Sequence, residues 1–169
     1  GQDNCVVSGG TNAKLNEIHA AMALANLDGL DQQVVDNRVR YRCYQTGLSE
    51  IPSIRLLEFD EGFSTSYKNI VVELLDDWPL MRDDTVDILN AENILARAYY
   101  SPPLHSKNMR YPYIPASLEV TDILSQRFML LPCGDFVTCN DIDQIVKILK
   151  FICSNGFVIA HRLAESEEK

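Results

Sequence analysis

The sequence predicts an α+β fold in which helices pack on a small, mainly antiparallel sheet. Three observations favour it: a long apolar helix pattern opens the chain, short β-branched segments follow, and further helix patterns separate the later strands. The chain has 169 residues, 46% of them hydrophobic and 23% charged, which suits a compact domain with a core of its own.

The first helix is predicted to begin at Thr11 or Asn12, because either side chain can accept a hydrogen bond from a backbone N–H of the first turn. Apolar residues then surround its middle from Leu15 to Val34, so we expect this helix to be buried. Gly29 costs about 1 kcal/mol relative to alanine inside a helix and predicts a kink or break at that point.

Two strands are predicted at residues 54–59 and 69–75 from their β-branched content, with a loop at residues 62–66 between them. Neighbouring strands joined in this way suit an antiparallel pair. A helix is predicted at residues 83–93, and its first turns hold three aspartates, where negative charge suits the helix dipole.

The second half of the chain predicts a strand at residues 96–101, a proline-rich loop at residues 104–117, a short helix at 118–126 and a strand at 128–131. A loop of that length is expected to be functional or to face a partner. Residues 138–141 are predicted to cap a closing helix, and the charged last five residues are expected to fray. The predicted core stripe of the closing helix is Ile142, Ile145, Val146, Leu149 and Ile152.

Composition excludes several classes of protein. Fifteen basic and 24 acidic residues give a net charge of -9, which argues against a non-specific nucleic-acid binder because backbone phosphates would be repelled. We found neither an apolar run long enough to span a membrane nor a signal peptide, so a cytoplasmic location is expected. The five cysteines lack metal-ligand spacing, and we therefore expect free, mostly buried thiols and no metal site.

Three segments carry a resemblance to a known family. The first is a Gly-x-Asn motif followed by a small-residue run, with Gly10, Asn12, Lys14, Glu17, Ala20, Ala21, Ala23 and Leu24. The second is Tyr99-Tyr100-Ser101-Pro102-Pro103-Leu104-His105, and the third is Leu130-Leu131-Pro132 followed by Thr138, Asp141 and Ile142. In this order they resemble the DegT/DnrJ/EryC1/StrS family, aspartate-aminotransferase-fold enzymes that act on nucleotide-linked keto-sugars.

The resemblance implies the C-terminal small domain of the type I aminotransferase fold, preceded by a long interdomain helix. It divides the chain into a loop and interdomain helix at residues 1–47, the α+β domain at residues 48–157 and a tail at residues 158–169. Separated from the rest of such an enzyme, the interdomain helix would expose apolar surface, so a homo-oligomer is expected.

The resemblance also implies pyridoxal 5'-phosphate in the complete enzyme, a sugar nucleotide as substrate and an amino acid such as glutamate as amino donor. Transamination needs a Schiff-base lysine and an acid paired with the pyridine nitrogen. Family enzymes carry both upstream of the Gly-x-Asn motif, so we assign no catalytic residue to this chain. On its own the chain is expected to be inactive and not to bind the cofactor.

Three residues are candidates for binding. Asn12 resembles the family residue that contacts the cofactor phosphate of the neighbouring subunit, although it can also serve as a plain helix cap. Tyr100 and His105 resemble a segment at the mouth of the active site, where phenol and imidazole groups suit hydroxyl and phosphate recognition. If residues 99 and 100 alternate across a strand, one tyrosine is buried and the other is available, and we assign Tyr100 to the site.

Two hypotheses remain open. The first is the C-terminal part of a pyridoxal-phosphate-dependent sugar-nucleotide aminotransferase, which supplies dimer, cofactor-phosphate and sugar-nucleotide contacts. The alternative is a stand-alone, non-catalytic binding or interaction module with the same fold.

Overall fold

A computed structural model of the chain describes residues 15–108, 110 and 112–167. Asn12, and the helix caps predicted at Thr11 or Asn12, lie outside the described residues. The elements, in chain order, are α1 Glu17–Asp28, α2 Leu30–Leu48, β1 Ile54–Leu56, β2 Ile70–Leu74, α3 Arg82–Ala91, β3 Arg97–Ala98, a 3-10 turn at Leu104–Ser106, α4 Glu119–Ser125, β4 Phe128–Leu131 and α5 Cys139–Glu167.

The four strands form one sheet in the order β1-β2-β4-β3, and every neighbouring pair is antiparallel. Ile54 lies opposite Leu74 across the first pair, and Ile70 lies opposite Leu131 across the second. The α+β fold and the antiparallel pairing of the first two strands are therefore confirmed. Because β2 and β3 are each antiparallel to β4, they run in the same direction on its two sides.

The core lies between one face of this sheet and the helices α2, α3 and α5. From α2, Tyr41, Tyr44 and Leu48 are buried, and Val86 and Leu89 of α3 join the same cluster. All five residues of the stripe predicted for the closing helix are buried, which confirms the helical periodicity read from the sequence.

The first helix differs from its prediction at both its start and its burial. It begins at Glu17, where the side chain of Asn16 accepts a hydrogen bond from the backbone N–H of His19 across 2.9 Å. Gly29 separates α1 from α2, as predicted. However, none of the residues of α1 is buried, because no described element packs over its apolar surface. The expectation of a buried helix is wrong for this chain, whereas the expected exposure in an isolated chain is confirmed.

The third strand is shorter than predicted and ends at Ala98. The rings of Tyr99 and Tyr100 lie beyond it with their centroids 4.5 Å apart, so the two side chains contact each other instead of occupying opposite faces. Strand alternation does not apply to them because neither residue belongs to the strand.

The closing helix continues to Glu167, through residues predicted to form a frayed tail. Gly156 of this helix packs against the loop before α3: it is buried, and a Cβ at this position would lie 2.1 Å from the Cβ of Pro79. The two elements can therefore approach this closely only because residue 156 has no side chain.

A disulfide joins Cys43 of α2 to Cys139 at the start of α5. The prediction of free thiols is wrong for these two residues, which are 96 positions apart in the sequence. Cys133 and Cys153 are free and half-buried, as expected. Among the described residues, no helix is long and apolar enough to cross a membrane, and no cluster of histidine, cysteine and acidic side chains suits a metal ion.

Candidate functional site

An open groove of about 860 Å³ lies where β2 and β3 begin and β4 ends, next to the start of α5. One side is formed by residues 132–138, which connect β4 to α5 and are called the wall segment below. The polar and aromatic side chains that line the groove are Lys68, Asn69, Glu92, Asn93, Arg97, Tyr100, Asp135, Phe136, Asp141 and Gln144. An open groove with convergent polar groups is a suitable place for a ligand.

Helix α2 holds the wall segment in place. The hydroxyl of Tyr44 donates to the carbonyl oxygen of Pro132 across 2.8 Å, and Arg40 Nε donates to the carbonyl oxygen of Val137 across 2.8 Å. Burial raises the pKa of Tyr44 far above its ordinary value, so this hydroxyl keeps its proton and remains a donor. Within the segment, Gly134 has a φ of +135°, a conformation that glycine adopts without strain.

A second set of hydrogen bonds supports the base of the wall segment. Cys133 Sγ lies 3.6 Å from Asn37 Oδ1 and 3.7 Å from the carbonyl oxygen of Tyr67. Burial raises the pKa of the Cys133 thiol, so the group serves as a weak donor and not as a thiolate nucleophile. Buried Asn37 also donates to the carbonyl oxygen of Ser66 across 3.3 Å and accepts from Arg40 Nη1 across 3.0 Å. The segment before β2 and the wall segment are thus fixed to the same turn of α2.

The end of the wall segment is a capping box. The hydroxyl of Thr138 accepts from the backbone N–H of Asp141 across 3.2 Å, while Asp141 Oδ2 accepts from the backbone N–H of Thr138 across 2.9 Å. The hydroxyl of Thr138 also donates to Asp141 Oδ2, and the hydrogen bonds from this hydroxyl and from the backbone N–H of Thr138 lower the pKa of Asp141. The reciprocal hydrogen bonds confirm the predicted helix cap. The carboxylate in this cap, Asp141, also lines the groove.

The predicted site residues are not brought together. Tyr100 lines the groove and is 73% exposed, so its phenol is available to a ligand. His105 does not line the groove: its side chain is only 14% exposed and its Nε2 lies 2.8 Å from Asp122 Oδ1 of α4. The imidazole therefore attaches the Leu104–Ser106 turn to α4 in this structure.

Sequence reasoning missed Lys68 and Arg97, the two cationic side chains that line the groove. Lys68 lies just before β2 and Arg97 begins β3. Since β2 and β3 run in the same direction on the two sides of β4, both strands begin at the same end of the sheet. This pair could have been predicted from the sequence only if the position of β4, between the two earlier strands, had been known.

The described lysines do not fit a covalent pyridoxal phosphate site. A Schiff-base lysine reacts as the neutral amine and is usually desolvated or placed next to another cation. None of the described lysines is buried; Lys68 is exposed in an open groove, and Lys150 forms an ion pair with Glu50 at the surface. The part of the chain that the structure describes therefore offers no place for the covalent step.

Comparison with known proteins identifies the class. The chain aligns with the crystal structure of DesI in the presence of its TDP-sugar product with a TM-score of 0.83 and 29% identity, over 92% of this chain and 40% of that one. The structure of DesV from S. venezuelae in complex with a ketimine intermediate aligns with a TM-score of 0.69 at 20% identity, over 86% of this chain and 38% of that one. The fold is thus that of aminotransferases.

The family model of the DegT/DnrJ/EryC1/StrS aminotransferase family matches residues 2–150, and the chain belongs to this family. Relatives include protein Rv3402c of Mycobacterium tuberculosis, 29% identical over 145 residues, and the dTDP-4-amino-4,6-dideoxy-D-glucose transaminase of Escherichia coli, 24% identical over 147 residues. The alignments cover 81% and 87% of this chain but only 33% and 40% of those proteins.

Proposed function

We propose that this chain is the C-terminal part of a pyridoxal-phosphate-dependent aminotransferase that acts on a nucleotide-linked keto-deoxysugar, with an amino acid such as glutamate as amino donor. The observation that carries the proposal is the family match over residues 2–150, supported by the structural similarity to DesI, whose structure was determined with a TDP-sugar product. The relatives are two to three times longer than the matched region, which is why we place the Schiff-base lysine on polypeptide outside these 169 residues.

Pyridoxal phosphate, when bound in such an enzyme, supplies the electron sink for transfer of the amino group. The contribution of this chain is recognition. Tyr100 presents an exposed phenol that can donate to a sugar hydroxyl or phosphate oxygen. Asn12 precedes α1, and its amide is a suitable donor to the cofactor phosphate of a neighbouring subunit.

The exposed apolar residues of α1 support a role in assembly. Ile18 and Met22 lie four positions apart on one face and are 72% and 60% exposed. Contiguous apolar surface of this kind marks an interaction site more often than free surface. In the complete enzyme, this helix lies between domains or subunits, and in the separate chain it promotes self-association.

The proposal is tested on the protein purified from its own cells. Its intact mass should exceed 19.1 kDa, and borohydride reduction should fix a pyridoxyl group on one lysine outside these residues. A pyridoxyl group on a lysine of this chain would overturn the assignment of catalysis. A native mass of 19.1 kDa without a second polypeptide would favour the alternative, a non-catalytic binding module.

The role of Tyr100 is tested in the same preparation by transamination of a nucleotide-linked keto-sugar. Tyr100→Ala should raise KM for the sugar nucleotide at least fivefold, whereas Phe63→Ala, which removes an exposed aromatic ring outside the groove, should leave KM unchanged. His105→Asn separates two roles of the imidazole: loss of affinity at unchanged stability indicates substrate contact, and loss of stability alone indicates attachment of the turn to α4.

A further inference from the structure

The disulfide lies next to the hydrogen bonds that attach the wall segment to α2. It joins Cys43 of α2 to Cys139, the residue directly after the wall segment and the first of α5. On the same helix, Arg40 and Tyr44 donate to carbonyl oxygens near the two ends of the segment, each across 2.8 Å. Residues three and four positions apart share one face of a helix. One face of α2 therefore holds both ends of the wall segment, and one of its three attachments is covalent.

The two ends of the wall segment are attached in different ways. The end that follows β4 is held by the hydroxyl of Tyr44 and by the contacts of Cys133 Sγ. At the end that leads into α5, the polar contacts with α2 come from Arg40, which donates to the carbonyl oxygen of Val137 and lies 3.7 Å from Asp135. The disulfide is the second attachment at this end. Without it, a single side chain would connect this part of the segment to α2.

The packing of α2 against α5 does not depend on the disulfide. Leu48 of α2 and Val146 and Leu149 of α5 are buried in the same core cluster. One turn beyond Cys43, a Cβ on Gly47 would lie 2.7 Å from a methyl carbon of Val146, so the two helices are in close contact there. Opening of the disulfide should therefore release the wall segment locally and leave the core in place, since local opening costs less than global unfolding.

The disulfide is accessible at the edge of this core. Cys43 and Cys139 are both half-buried, and Arg42, Thr138 and Asn140 next to them are exposed. Exchange with an external thiol requires that its thiolate reaches one of the two sulfur atoms, and accessible disulfides are the ones that respond to reductants. The position of the pair thus permits exchange in the folded chain.

We propose that the Cys43–Cys139 pair is a redox switch for the groove, set by exchange with a cellular dithiol. One thiolate of the dithiol attacks a sulfur of the pair, forms a mixed disulfide and displaces the other cysteine as a thiolate. The second thiol of the reductant then closes its own disulfide and displaces the remaining cysteine. The pair gains two electrons and two protons, and the dithiol loses them. The oxidised chain keeps the wall of the groove fixed on α2, whereas the reduced chain lets it move, whichever ligand the groove binds.

The test is limited proteolysis of the chain by chymotrypsin without denaturant. Phe136 in the wall segment is fully exposed, but cleavage after it requires the segment to leave α2. A dithiol reductant should raise the rate of this cleavage by about 10-fold, because the open form becomes more populated. Cleavage after Phe63, which is 75% exposed in another loop, should keep its rate and is the internal control.

Variants separate the disulfide from other effects of the reductant. Cys43→Ser/Cys139→Ser should be cleaved after Phe136 at the faster rate with and without reductant. Cys153→Ala, which removes a free thiol, should respond as the wild type does. Arg40→Gln removes the other attachment of the same end, so its cleavage after Phe136 should accelerate more on reduction than that of the wild type.

Three results would reject the switch. Equal cleavage after Phe136 in the oxidised and reduced chains would show that the disulfide does not hold the wall segment. Accelerated cleavage after both Phe136 and Phe63 would show that reduction unfolds the chain. The third measurement is alkylation of Cys43 and Cys139 after treatment with the dithiol at neutral pH, where we expect both to be modified in the folded chain. A pair that is reduced only in urea would be a purely structural disulfide.

Discussion

The hydroxyl of Tyr44 lies 2.8 Å from the carbonyl oxygen of Pro132, and this hydrogen bond connects the buried face of α2 to the wall of the groove. Tyr44→Phe removes the donor and leaves the carbonyl without it, so we expect unfolding free energy to fall by about 1–3 kcal/mol. Urea unfolding at neutral pH measures the loss. Tyr113→Phe, at an exposed tyrosine, should change the midpoint little.

The same residue predicts the response to alkali. Because burial raises the pKa of Tyr44, the folded state keeps a proton that the unfolded chain releases above pH of about 10. The contribution of the Tyr44 hydroxyl to the free energy of unfolding is therefore complete below about pH 10 and decreases as the pH rises further. Tyr41, whose pKa burial also raises, contributes in the same direction. Stability of the Tyr44→Phe variant should therefore fall less steeply above pH 10, and an unchanged slope would contradict the assignment.

The disulfide between Cys43 and Cys139 should make stability depend on reductant. It closes a loop whose ends are 96 positions apart, for which the chain-entropy account gives about 4.7 kcal/mol. A dithiol reductant should lower the urea midpoint of the wild-type chain but not that of the Cys43→Ser/Cys139→Ser variant. Cys153→Ala should remain sensitive to the reductant, because Cys153 is a free thiol. Peptide mapping that finds Cys43 alkylated without reduction would contradict the pairing.

The capping box at the start of α5 predicts a response to acid. Hydrogen bonds from Thr138 lower the pKa of Asp141, so its contribution is present above the unfolded pKa of about 4 and is lost as the pH falls through the lower folded value. Asp141→Asn should therefore be less stable than wild type at pH 7, and the difference should shrink below pH 4. Thr138→Ala, which removes the cap, should lower the free energy of unfolding by about 1 kcal/mol. Asp143→Asn, in the same turn but outside the box, serves as the control.

The exposed face of α1 predicts self-association of the separate chain. Light scattering should give a mass that rises with concentration, because Ile18 and Met22 present apolar surface that no described element covers. The double variant Ile18→Glu/Met22→Glu should lower this mass toward that of a monomer. Val120→Glu, which replaces an equally exposed apolar residue on α4, should have little effect. A wild-type chain that stays monomeric at high concentration would count against α1 as an interface.

Local patterns in the sequence were sufficient where neighbouring residues decide the structure. The buried stripe of α5, the Thr138 cap and the break at Gly29 each depend on residues within one or two turns, and all three are confirmed. The length of β3 could not be read in the same way. Its pairing with β4 ends at Ala98, and that limit is set by a partner about 30 positions further along the chain.

The candidate site depended even more on distant residues. Tyr100 was predicted from a motif, and it does line the groove. His105, from the same motif, is turned toward Asp122, which belongs to a helix that the local pattern does not position. Lys68 and Arg97 line the same groove only because β4 lies between their strands and brings the start of each strand to the same end of the sheet. Single residues of suitable chemistry can be recognised in a sequence, but their convergence depends on topology.

The contact between Gly156 and Pro79 determines where this protein can be shortened. Residue 156 lies beyond the family match, which ends at residue 150, yet it is enclosed by the loop that carries Trp78. A boundary drawn at the end of the match would remove Gly156, against which that loop rests, and the buried core residue Ile152. The helical extension after residue 150 therefore belongs to the folding unit and has to be kept in any excised version of it.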